Sequence, residues 1–340
     1  MRRTLVVLVL AATVWPDMSG VAHSSVATRA AAAGSLQADF NNDGFADLAV
    51  GAPFESIGGI VAGGAVNVLY GTPTGLAGGG SQLFTQDSAA VGGAAEEGDA
   101  FGRSLAVGDF NQDGFADLAV GAPGEGVGGI GGGGAINVLY GSAGKLTGVG
   151  SQLFTQDSPG VAGDAATEDF FGEALAAGDF NNDTFADLAI GAANEAVGTI
   201  QGSGAVNVLL GSAGLLTGVG SQLFTQDSPG VGDAAEEGDN FGFALTAADF
   251  DNDAFADLAV GVPFETVGAI FFGGAVNVLY GSAGLLTGVG SQLFTQDSPG
   301  VGGAAEDLDQ FGWALAGSGP HSATASPASN SGERRSARRR

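Results

Sequence analysis

Apolar positions in this chain come in short runs, each closed by glycine, proline or a polar turn. In one unit, Leu118-Ala119-Val120-Gly121-Ala122-Pro123 reads as a short strand stopped at a Gly/Pro turn. Gly124 to Gly134 is a glycine-rich connector, after which Ala135 to Tyr140 sets Ile136, Val138 and Tyr140 on one face. Gly141-Ser142 ends that strand. Ser151 to Gln156, past a polar turn, is the candidate fourth strand of the unit, and Phe171 to Ala177 leads into the next. Four strands per unit and no helix are predicted, because 63 glycines leave few windows in which a helix could persist.

The units repeat. Asp-Phe-Asn-Asn-Asp-Gly-Phe-Ala-Asp begins at Asp39, and related nonapeptides begin at Asp109, Asp179 and Asp249, each 70 residues after the last. A unit of that size cannot bury a core alone, so the units must stack or close into a ring. Four-stranded units arranged around an axis make a propeller, which leaves only short, protected sheet edges. A parallel β-roll would need its glycine-aspartate motif in every nonapeptide, whereas here the motif returns once in 70 residues. The expected fold is all-β: a β-propeller of four-stranded blades, with four complete repeats and one strand of a fifth over residues 35–317.

Within each nonapeptide, oxygen donors at alternate positions, a backbone carbonyl at the seventh and a carboxylate at the ninth are what a hard cation needs from one tight loop. Charge agrees with that chemistry. Of the 37 acidic residues, 35 fall between residues 39 and 318, where Arg103 and Lys145 are the sole bases, a local net charge of −33. Such a field repels nucleic acid and anionic lipid and attracts divalent cations.

Phe-Gly pairs at Phe101-Gly102, Phe171-Gly172, Phe241-Gly242 and Phe311-Gly312, with Gly51-Ala52-Pro53 and Gly121-Ala122-Pro123, keep one order and one spacing. In this the chain resembles the FG-GAP repeats of integrin α-subunit N-terminal propellers, over residues 35 to 317. The resemblance implies a seven-bladed ring, of which this chain would be an incomplete part. It also implies calcium between the first two strands of certain blades, and a ligand- or partner-binding surface opposite. Carried over by position, the first ligand sets are Asp39, Asn41, Asp43, the Phe45 carbonyl and Asp47, then Asp109, Asn111, Asp113, Phe115 and Asp117. The third loop offers Asp179, Asn181, Asp183, Phe185 and Asp187, and the fourth Asp249, Asp251, Asp253, Phe255 and Asp257. Up to four structural Ca2+ ions are expected.

The copies differ. Gly44 and Gly114 hold the sharp-turn position, but Thr184 and Ala254 stand there in the later loops, where positive φ is strained, so weaker cation binding is expected. Gly191-Ala192-Ala193 and Gly261-Val262-Pro263 are imperfect turns that should cost rigidity and not the strand. Phe311 to Gly317 is expected as the innermost strand of a fifth blade, after which the pattern breaks. Residues 318–340, a Ser/Ala/Pro-rich and Arg-rich basic tail, are expected to arise from a shifted reading frame, since the codons of Ser322 to Pro327 read two bases later are compatible with Asp-Gly-Phe-Ala.

At the other end, Met1-Arg2-Arg3, the apolar stretch Leu5 to Val14 and small residues at Gly20-Val21-Ala22 make the three zones of a secretory leader within residues 1–30, cleaved near residue 22. The apolar stretch is too short for a bilayer, which needs about 20 residues, and no other transmembrane segment is predicted. Export, as a secreted or cell-surface protein, is expected, and the absence of cysteine fits a fold held by metal instead of disulfides.

Other features have plainer readings. The Phe-Gly aromatics and Phe84, Phe154, Phe224 and Phe294 recur as core residues should, and the glycosylation pattern Asn182-Asp183-Thr184 falls inside a loop by coincidence of composition. Catalysis is not expected. The two histidines, His23 and His321, lie outside the repeats, so the repeats hold no Ser/His/Asp triad and no zinc site. The expected function is an extracellular binding or adhesion module with an unidentified protein or glycan ligand. A non-catalytic scaffold or fragment of a larger propeller, and a glycan- or lipid-directed hydrolase accessory module, remain alternatives.

Overall fold

A computed structural model describes residues 38–317. The leader, the basic tail and its reading-frame expectation lie outside the described residues. Fifteen strands form four antiparallel sheets, each built from strands consecutive in the chain. The first sheet holds β1 (Leu48–Ala52), β2 (Ala65–Tyr70) and β3 (Ala77–Phe84). The second holds β4 (Leu105–Gly108), β5 (Asp117–Ala122), β6 (Ala135–Tyr140) and β7 (Thr147–Phe154). The third holds β8 (Phe171–Gly178), β9 (Asp187–Ala192), β10 (Ala205–Leu210) and β11 (Thr217–Phe224). The fourth holds β12 (Ala244–Ala248), β13 (Asp257–Val262), β14 (Ala275–Tyr280) and β15 (Thr287–Phe294).

The all-β fold and the four-stranded unit thus agree with the sequence pattern, and β9 keeps its full six residues without the turn proline. Three details correct it. The first sheet shows three strands, because the innermost would fall before residue 38, outside the described residues. The outer strand starts at Thr147 and not near Ser151, since a bulge after Val138 brings Tyr140 opposite Thr147 and draws the glycines into the ladder. Residues 311–317 form no strand among the described residues, where isolated bonds hold them, such as the Gly317 amide to Thr246 Oγ1 at 2.9 Å.

Packing explains a further difference. Alternation along Ala135–Tyr140 predicts one buried face, yet every residue of β6 is buried. The second and third sheets are covered on both sides: Leu118, Val120 and Leu139 pack on the first sheet with Phe40 and Val66, while Ile136, Val138 and Tyr140 pack on the third with Leu188 and Ile190. A third core joins the last two sheets through Phe180, Val206, Leu258 and Leu279. Phe40, Phe110 and Phe180 are fully buried at successive interfaces, whereas Phe250, which faces no further sheet among the described residues, is 45% exposed.

The motif glycines have a direct cause. A Cβ on Gly121 would lie 2.2 Å from the Gly172 carbonyl oxygen, and one on Gly51, Gly191 or Gly261 would meet Gly102, Gly242 or Gly312 as closely. The Phe-Gly glycine of each unit therefore packs backbone to backbone on the Gly-Ala-Pro glycine of the unit before. The adjoining phenylalanine drops into the interface, and its amide bonds back to the preceding blade, as Phe241 does to the Ser203 carbonyl at 2.9 Å.

Polar side chains bridge the same interfaces. Asn137 Nδ2 donates to the Gly92 carbonyl at 2.8 Å, Asn207 to Ala162 at 2.6 Å and Asn277 to Gly232 at 2.8 Å. Read from alternation, these asparagines would face solvent; they are fully buried. The Tyr70 hydroxyl accepts from the Leu146 amide at 3.2 Å and donates to Gln82, whose Nε2 donates to the Leu146 carbonyl at 3.1 Å. Tyr140, Gln152 and Leu216 repeat that triangle.

Candidate functional site

The four Asp-rich loops lie side by side at one end of the sheets, the last three joining the first strand of a blade to its second and the first leading into β1. Backbone bonds tie each to the next: the Ala116 amide to the Asp39 carbonyl at 3.2 Å, Ala186 to Asp109 at 3.1 Å and Ala256 to Asp179 at 2.9 Å. Gln112 and Thr184 also meet, Nε2 to Oγ1 at 2.5 Å.

Inside the first loop, Asp39 takes the amides of Asp43 and Gly44 at 3.1 and 2.9 Å, one on each carboxylate oxygen. Asn41 Oδ1 accepts from the Asp43 amide at 3.1 Å, and Asp43 Oδ1 from the Phe45 amide at 3.0 Å. Asp109, Asn111, Asp113 and Phe115 repeat this set, as do Asp179, Asn181, Asp183 and Phe185. In the fourth loop Asp249, Asp251, Asp253 and Phe255 hold the same bonds. There the carboxylates of Asp249, Asp251 and Asp257 bring oxygens within 4.8 Å of one another.

The sixth position keeps its backbone whatever residue fills it. Gly44 and Gly114 have φ +86°, and Thr184 and Ala254 follow at +81° and +77°, still donating to Asp179 and Asp249. The turn is therefore preserved in the last two loops at the cost of left-handed strain, about 1–2 kcal/mol per L-residue.

The ninth-position carboxylate does something the sequence did not reveal. Asp117 is fully buried, and its two oxygens accept from the Phe110 amide at 3.0 Å and the Gly141 amide at 2.9 Å. It clamps the loop's start to the end of β6. Asp47, Asp187 and Asp257 make the same pair of bonds. Burial pushes Asp117 and Asp187 up to about 7 despite those amides, with the neighbouring loop aspartates adding to the rise, and raises Asp47 and Asp257 in the same way. A second shared partner, a proton or a cation, is what such a carboxylate lacks.

The opposite end of the sheets carries features that sequence reasoning passed over. Gln86, Gln156 and Gln226 donate from Nε2 to Glu125, Glu195 and Glu265, the last two at 2.6 Å. Burial raises Glu125 and Glu195 to about 7 and Glu265 to about 8. Arg103 Nη2 pairs with Glu173 Oε1 at 2.5 Å, and the residues one and two repeats on from Glu173 are Phe243 and Trp313, whose rings lie 4.5 Å apart. Phe264, Phe271 and Phe272 complete an aromatic group, with Phe271 and Trp313 about half exposed. A signal for it did exist: Phe271-Phe272 stands where the earlier repeats have Val61-Ala62, Gly131-Gly132 and Gln201-Gly202.

The FG-GAP repeat family matches residues 32–69, 101–139, 171–209 and 241–279, one match for each Asp-rich loop with its flanking strands. The chain is an FG-GAP repeat protein. It is 33% identical to integrin alpha-3 of Cricetulus griseus over 174 residues, 51% of this chain and 15% of that protein. It is 35% identical to phosphatidylinositol-glycan-specific phospholipase D of Rattus norvegicus over 168 residues, 49% of this chain and 19% of the relative. The FG-GAP chain thus spans less than a fifth of either relative. Among solved structures, rhamnogalacturonan lyase PL11 of Bacillus licheniformis aligns with 70% of this chain and 44% of its own, at 14% identity and TM-score 0.35.

Proposed function

We propose that this FG-GAP chain is an exported, calcium-stabilised propeller segment that acts as a binding or adhesion module and not as a catalyst. The observation that carries the reading is the loop geometry: four all-oxygen donor sets, their carboxylates oriented by backbone amides and their ninth aspartate buried, in a region of net charge −33. Hard oxygen donors in a short loop suit Ca2+. In each loop the first, third, fifth and ninth side chains and the seventh carbonyl would hold the ion, which would neutralise carboxylates that burial otherwise drives toward protonation. Because neighbouring loops are bonded to one another, the ion's role is structural, fixing each blade against the next.

Export is supported by the leader-like pattern of residues 1–30, and a binding role by the exposed aromatic group around Phe271 and Trp313 at the end away from the loops. Phospholipase activity belongs to the relative that bears that name; the repeats here hold no histidine.

Thermal melts with calcium and with chelator test the structural-metal reading. Calcium should raise the melting temperature, and Asp113→Asn should shrink that rise while leaving the chelated melt nearly unchanged. Asp117→Asn should lower both melts, by about 1–3 kcal/mol, because it removes an acceptor from a buried amide. A melt indifferent to calcium in the wild-type chain would refute the proposal. Calcium-dependent retention on immobilised cell-surface proteins or glycans tests the binding role, and failure to retain either class would favour a scaffold.

A further inference from the structure

The first and last blades each carry one half of the contact that joins every blade to the next. Leu146, Leu216 and Leu286 enter the interface with the preceding blade and are 2% exposed, whereas Leu76, 70 residues before the first of them, is 51% exposed. The amides of Leu146 and Leu216 reach the Tyr70 and Tyr140 hydroxyls, and their carbonyls accept from Gln82 and Gln152 Nε2. Tyr280 and Gln292 stand at the same places in the last blade. Among the described residues they receive no leucine, and Gln292 is exposed.

A second pair of series ends in the same way. A Cβ on Gly92 would touch Leu153 at 2.9 Å, and one on Gly232 would touch Leu293 at 3.0 Å, because those leucines seat on the glycines of the preceding blade. Gly302, the last of these glycines, has nothing within 4 Å of that position, and Leu83, the first of the leucines, is 56% exposed. Asn137, Asn207 and Asn277 are buried on carbonyls of the preceding blade, while Asn67 is exposed.

The outer side of the first blade therefore presents the inserting half, Leu76, Leu83 and Asn67, and the outer side of the last presents the receiving half, Tyr280, Gln292 and Gly302. Among the described residues the receiving face is covered along one border, by Phe311 and Leu315 against Val276 and Val278, and Phe250 beside it stays 45% exposed. The two faces differ, so neither is complementary to itself. Each is complementary to the other, and three interfaces within the chain show the same residues already joined.

We infer that a second copy of this chain covers both faces, the first blade of each copy seated on the last blade of the other. Such a head-to-tail contact gives a closed body when the rotations from blade to blade complete a full turn. Two copies of four sheets bring eight blades together, within the roughly four to eight over which propellers close, and a third copy would exceed that range. The six residues named on the two faces are uncharged, and the repulsion between two acidic bodies is screened over about 8 Å at physiological salt.

Sedimentation of the full chain in calcium and physiological salt tests this pairing. The wild type should sediment at twice the mass of one chain. Leu76→Arg, on the first face, and Gly302→Arg, on the last, should each give single chains with unchanged strand circular dichroism, because both positions are exposed. Mixing the two variants should restore a pair through the one set of faces left intact. That pair should dissociate about 100-fold more readily than the wild type, having one interface in place of two. A patch that pairs with its own copy would give no such rescue. If either variant loses its strand signal, Asn67→Arg replaces the first and Gln292→Arg the second, with the same outcomes expected. A wild type of single-chain mass, a mass that climbs past two chains with concentration, folded variants that stay paired, or a mixture that stays single would each overturn the proposal.

Discussion

Gly121 and Gly172 touch backbone to backbone across the interface of the second and third sheets: a methyl group on Gly121 would stand 2.2 Å from the Gly172 carbonyl oxygen. That contact binds the two halves of the FG-GAP signature to one physical cause. Gly121→Ala should therefore open the interface, lowering stability by about 3 kcal/mol, the upper part of the range for overpacking, since a backbone oxygen cannot swing away as a side chain would. A denaturant midpoint within error of wild type would contradict it.

Leu210 interrupts the tyrosine series. Tyr70 and Tyr140 each join a glutamine to a leucine amide in the next blade, but Gln222 Oε1 is buried and unpaired because Leu210 has no hydroxyl. Leu210→Tyr should complete the triangle with Gln222 and the Leu286 amide and stabilise the chain by about 1 kcal/mol. Chemical unfolding of the single variant checks the sign; Leu210→Phe, with the ring and without the hydroxyl, should not reproduce the gain.

Ala254 carries left-handed strain that glycine would relieve. With φ +77° and no side-chain bond to lose, Ala254→Gly should stabilise by about 0.5–1 kcal/mol, the strain relieved less the extra freedom of glycine in the unfolded chain. It should also tighten cation binding at the fourth loop. Gly114→Ala should act in the opposite sense, and calorimetric titration of both variants measures the pair.

Stability without calcium should fall as pH rises. Burial holds Asp117, Asp187, Glu125 and Glu195 at about 7 and Glu265 at about 8, all above their unfolded values, so the folded chain binds more protons between acid and neutral pH. Their contribution is complete below the unfolded carboxylate values and disappears as pH passes through the folded ones. In chelator the melting temperature should drop from about pH 5 to about pH 8, and calcium should flatten that slope by replacing the protons. A chelated melt that rises over this interval would refute the assignment.

The sequence by itself determined most of the strands, the 70-residue period and the hydrogen bonds inside the loops, because each is a local property. Apolar runs ended by glycine set the strands, and alternate aspartates set the loop's hydrogen bonds within five residues of one another. Tertiary structure alone decided what lies between blades. Asn137 looked like a solvent-facing residue until a neighbouring sheet covered it, and Gln226 meets Glu265 across 39 positions, Tyr140 meets Leu216 across 76. A period of two records which way a side chain points from its own sheet, but not that a second sheet will bury the other face, so desolvation, and the pairing it demands, appears only when the blades are stacked.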